Sequence, residues 1–75
     1  MEFQVNEEGI KAINEWFEEK IVALQDKEAA LQSEVDSAPN LFTRVTKEAE
    51  LEIVRYEISQ YQVKIAENNS LLQQS

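Results

Sequence analysis

The amino-acid sequence predicts an all-α protein: two long antiparallel amphipathic helices folded into a coiled-coil-like helical hairpin, in one domain spanning residues 1–75. Three observations predict it. The only Gly and the only Pro stand at positions 9 and 39, which leaves two stretches of about thirty residues without a breaker. Apolar residues on both sides of Pro39 recur at steps of three and four, the spacing of a helical face. Between the two patterns lies a short polar segment, and so short a connection makes an antiparallel pair the cheapest topology.

The first helix is expected over residues 7–36. Asn6 can cap free amides, Glu7 and Glu8 suit the positive end of the helix dipole, and Val5 can staple onto Ile10. Its face runs Ile10, Ile13, Phe17, Ile21, Leu24, Leu31, Val35, with one gap at Glu28. At 1.5 Å per residue this helix is about 45 Å long. The turn is expected at 37–41, because Pro39 removes a backbone donor and pushes Ala38 out of helical geometry.

A second helix is expected over residues 42–73, capped by Asn40, Thr43 or Thr46. Its seam alternates Leu51, Ile58 and Ile65 with Val54, Tyr61, Asn68 and Leu72. Folding back at Pro39 sets Val35 near Phe42, Leu24 near Ile53, and Ile10 near the end of the second helix.

The second helix carries more apolar surface than one neighbour can cover. Phe42, Val45, Ala49, Ile53, Tyr56 and Val63 make another stripe, and Ala12, Trp16, Ala23 and Ala30 flank the seam of the first helix. These residues either widen the core of the hairpin or meet something outside it. A chain of 75 residues buries little surface, and without Cys or His it has neither disulfide nor structural zinc. Self-association is the remaining common remedy, so a homodimer closing into a four-helix bundle is expected, with Trp16, Phe42, Val45, Ile53 and Tyr56 as apolar contact residues. Trp16 can also lie beneath Lys20, one turn on.

Composition excludes much else. Fifteen acidic against seven basic residues give a net charge of −8, which repels phosphate backbones, so no direct nucleic-acid binding is expected. Residues 1–38 hold ten acidic and three basic side chains (−7), and residues 39–75 hold five and four (−1). No apolar run is long enough for a membrane span and no signal peptide is recognisable, so a cytoplasmic protein is expected. Without His or Cys there is no usual neutral-pH base and no thiolate, and one Gly cannot build a phosphate-cradling loop.

Glu15 and Glu18 resemble the first half of the paired Glu-x-x-Glu and Glu-x-x-Asp motifs of all-helical nucleotide pyrophosphatases. The second helix contains no Asp, and Glu48, Glu50, Glu52 and Glu57 do not reproduce the second half. Thr46-Lys47-Glu48-Ala49-Glu50 stands where the small helical-hairpin aspartyl-phosphate phosphatases carry Ser-x-x-x-Asp, and both motif residues differ. Neither activity is carried over, and no catalytic, cofactor or metal residue is assigned.

One charged feature remains. Glu8, Glu15, Glu19 and Asp26, with Glu18 close by, fall in a narrow band of the first helix, in a row about 27 Å long. The expected function is a non-enzymatic protein–protein interaction module, a small acidic inhibitor or adaptor. The alternatives are an acidic nucleic-acid mimic that uses this row to block a nucleic-acid-binding enzyme, and a structural coiled-coil component of an assembly.

Overall fold

The computed structural model describes residues 6–73, so the proposed staple between Val5 and Ile10 lies outside the described residues. Two helices, α1 (Glu7–Asp36) and α2 (Leu41–Gln73), pack against each other, with no strand among the described residues. Helix α1 has the expected bounds, and α2 begins one residue earlier than expected. Asn6 caps α1, its Oδ1 accepting from the Gly9 amide at 3.1 Å. Of the three candidate caps for α2, Asn40 is the one in place: its Oδ1 accepts from the Thr43 amide at 2.8 Å. Thr46 instead turns its hydroxyl back onto the Phe42 carbonyl at 2.9 Å.

The chain reverses over residues 37–40. Ser37 closes α1 by donating through both its amide (3.0 Å) and its hydroxyl (2.9 Å) to the Ser33 carbonyl. The last turn of α1 holds no basic residue, although Glu34 and Asp36 face the negative end of the dipole there. Lys47 of α2 offsets this, with Nζ 3.3 Å from Glu34 and 3.5 Å from Glu50. The hydrogen bond and charge of Glu34, then the charge of Glu50, raise the Lys47 pKa above its ordinary 10.5.

The core is the expected seam. Ile21, Leu31 and Val35 of α1 and Leu51, Val54 and Ile58 of α2 are buried, with Leu24, Tyr61 and Ile65 packed against them. All of the buried residues lie in the half of the molecule nearest the turn or at its middle, so burial tapers toward the open end. Two polar devices sit on the seam. Glu28, the gap in the apolar pattern, accepts from Arg55 Nε at 2.9 Å, and the same guanidinium donates to Gln32 at 3.2 Å. Near the open end Asn14 donates to Asn69 at 3.1 Å and accepts from Asn68 at 2.9 Å.

Three expectations are corrected. Ile13 is half-exposed, because Asn14 takes the inward place beside the Asn68 amide. Phe42 does not lie against Val35, and Ile53 does not lie against Leu24: both α2 side chains point outward, 81% and 59% exposed. The pairing along the hairpin is shifted by about one turn from that expected: Glu28 meets Arg55 and Glu34 meets Lys47, four to six residues further along α2 than the expected pairs imply. The side of α2 that faces inward is the expected seam, with Leu51 and Val54 filling the interface. The molecule is a rod of 59 × 19 × 16 Å.

Candidate interaction surface

Positions 42, 49, 56 and 63 of α2 are Phe, Ala, Tyr and Val, one residue every seventh position, and Val45 and Ile53 stand beside them. At 100° per residue this stripe lies nearly opposite, roughly 180° round the axis from, the seam of Leu51, Val54 and Ile58. Phe42, Val45, Ala49, Ile53, Tyr56 and Val63 are accordingly all exposed. The stripe therefore does not widen the core of the hairpin: α1 covers one side of α2, and these residues occupy the other. Hydroxyls in the region bond to their own helix, Thr46 to the Phe42 carbonyl and Ser59 to the Tyr56 carbonyl. Arg44 and Glu48 pair with each other at 3.2 Å beside it.

Trp16 does not join this surface. Its ring lies edge-on to Tyr61 at 6.5 Å and tilted on Phe17 at 5.5 Å, and Phe17 in turn stacks 5.4 Å from Tyr61. Lys20 Nζ stands 5.0 Å above the indole, the expected cation–π contact. The aromatic trio bridges the helices at the level of Tyr61, about 28 Å along the rod from Phe42. Half of Trp16 remains exposed, so it flanks the hairpin rather than anchoring the α2 stripe. Leu41, 75% exposed next to Phe42, adds to the surface, although its position is expected in the turn.

The acidic row lies on the opposite edge of the molecule. Glu8, Glu15, Glu18, Glu19 and Asp26 are exposed, and none has a hydrogen bond or ion pair among the described residues. Val22 stands exposed within the row and interrupts its charge. Ala12, Ala23 and Ala30 are exposed as well.

Two shallow grooves flank the helix contact. One, of about 180 Å³, is lined by Gln32, Val35, Glu48, Leu51, Glu52 and Arg55, and the other, of about 310 Å³, by Lys27, Glu50, Ile53, Val54 and Glu57. Both are open clefts between the two helices. Among the described residues no group of three acidic side chains could hold a metal ion, and no helix is long and apolar enough to cross a membrane. No family model, curated protein or solved structure matches the chain. Its own surfaces are the guide to what it does.

Proposed function

We propose that the chain is a non-enzymatic protein–protein interaction module: a small acidic helical hairpin that self-associates toward a four-helix bundle and binds a protein partner through its helix faces, as an inhibitor or adaptor. The observation that carries this reading is the exposed apolar stripe on the outer side of α2, unbroken from Phe42 to Tyr56 and resumed at Val63. Exposed apolar side chains scattered singly are ordinary, whereas a row of six on one helical face, Phe42 and Tyr56 among them, marks a contact surface. Large aromatic residues supply most of the energy in such contacts.

The decisive experiment compares two variants. Ile53→Glu or Tyr56→Glu should weaken self-association and partner capture at least tenfold, since truncated interface anchors cost about 2 kcal/mol or more. Glu15→Lys combined with Glu19→Lys should leave both within about twofold. Light scattering on a sizing column and affinity capture with each variant as bait supply the readouts. Equal behaviour of Ile53→Glu and the parent chain in both would overturn the reading.

The five carboxylates of α1 that have no partner among the described residues favour a second reading, an acidic mimic that occupies the basic groove of a nucleic-acid-binding enzyme. That reading predicts the reverse sensitivity to the variants. It also predicts a complex that weakens steeply with salt, because its contacts are charge on charge at an exposed surface.

A further inference from the structure

We infer that the outer face of α2 is occupied by a second copy of this chain, docked antiparallel, α2 against α2, with the two-fold axis at Ala49. This deepens the interaction reading above and rests on it. The residues Phe42, Val45, Ala49, Ile53 and Tyr56 stand at offsets of −7, −4, 0, +4 and +7 from Ala49, so the pattern reads aromatic, aliphatic, alanine, aliphatic, aromatic in either direction. A parallel pair makes no such demand on sequence. An antiparallel two-fold pair is favoured by it, because each residue then meets its mirror position on the other copy, and here apolar meets apolar throughout. Turned about Ala49, Phe42 meets Tyr56 and Val45 meets Ile53, while alanine at the centre lets the backbones approach.

Surface area agrees with the need for a cover. The chain exposes 5877 Å², against about 4,700 Å² for a compact monomer of its mass. The rod shape itself raises exposure above the compact value, and the excess leaves room for the roughly 800 Å² that each partner buries in a standard interface.

Charge selects the occupant and its direction. Helix α1 carries nine acidic and three basic residues, α2 five and four. Contact through α2 thus joins the nearly neutral helices and keeps the acidic ones outside. The apolar run ends at Tyr56, since Gln60 and Glu67 break it further on. Centred on Ala49, the pair overlaps over about residues 41–57, the apolar part alone. Glu8 to Asp26 run beside the remainder of α2, as the Asn14–Asn68 and Glu28–Arg55 contacts show. The two acidic rows therefore project away from each other, whereas a parallel pair would set them at the same end. Antiparallel helix dipoles add to the preference.

The chain has no cysteine, so single-cysteine variants report the geometry without background. Ala49→Cys stands on the two-fold axis, within the span of a disulfide. Under mild oxidation it should form linked dimers at least tenfold faster than Ala23→Cys, an exposed position on α1 that reports random collision. Phe42→Cys should link no faster than that control, because its two copies stand about 21 Å apart along the axis. A mixture of Phe42→Cys and Tyr56→Cys should link across. Helicity by circular dichroism equal to the parent's shows that each variant folds. Rapid linking of Phe42→Cys to itself would establish a parallel pair and overturn the proposal, as would Ala49→Cys linking at the control rate. If Ala49→Cys stays unlinked while Ile53→Glu still abolishes partner capture, the pairing fails and the interaction reading stands. If neither responds, both fall.

Discussion

Gly9 occupies the third position of α1, where its amide donates to Asn6 and its backbone has an ordinary helical conformation. A Cβ added there would meet the Asn6 side chain at 3.6–3.9 Å, ordinary contact distance. Glycine thus contributes nothing to this turn except a more mobile unfolded chain. Gly9→Ala should stabilise the protein by about 0.5–1 kcal/mol, read as a higher midpoint in thermal or urea unfolding. A lower midpoint would mean that the Asn6 cap cannot keep its place beside a methyl group. Single residues were unevenly legible in the sequence. The Asn6 cap and the Lys20–Trp16 contact follow from neighbours three or four positions away on one helix. The choice of Asn40 over Thr43 and Thr46 does not, since all three side chains can cap and only the path of the turn decides.

Each helix reads well as an element, and the contact between them reads less well. The seam of α2 was legible in full because its apolar residues keep the spacing of a heptad. On α1, Ile13 and Asn14 straddle the seam almost equally, and the inward place went to Asn14 because Asn68 and Asn69 stand across from it. The gap at Glu28 likewise has its reason in Arg55, a residue 27 positions on. Such polar pairs fix how two helices align at some cost in strength. Replacing Asn14 and Asn68 together by Leu should raise the unfolding midpoint and slow amide exchange over residues 10–17 and 61–72, where burial is thinnest. Unchanged exchange there would show that the asparagine cluster already closes the open end as firmly as leucine does. The outer stripe of α2 was visible as a pattern of residue types, but periodicity cannot say whether it widens the core or stays outside it. Leu51 and Val54 fill the interface with α1 and leave the stripe on the far side.

The whole molecule divides its surface by chemistry, with carboxylates along the outer edge of α1 and apolar side chains along that of α2. Its net charge of −8 opposes the approach of any like-charged copy. Self-association through α2 should therefore tighten several-fold between low salt and about 0.5 M, as the Debye length shortens below about 10 Å. Sedimentation equilibrium at several salt concentrations measures this, and a dimer that loosens with salt would place the contact on charged groups instead. At this scale the sequence carried the partition of charge, a matter of counting, but not the direction in which each edge faces.

One consequence of the hairpin is a matter of reach. Glu7 and Gln73 lie at one end of the rod, and Phe42 stands at the other. A fluorophore or fusion attached beyond either helix end would ride at the far end of the lever, clear of the surface around Ala49. Two rods overlapping over about half their length would hold such attachments about 70 Å apart, a spacing fixed by helix rise alone.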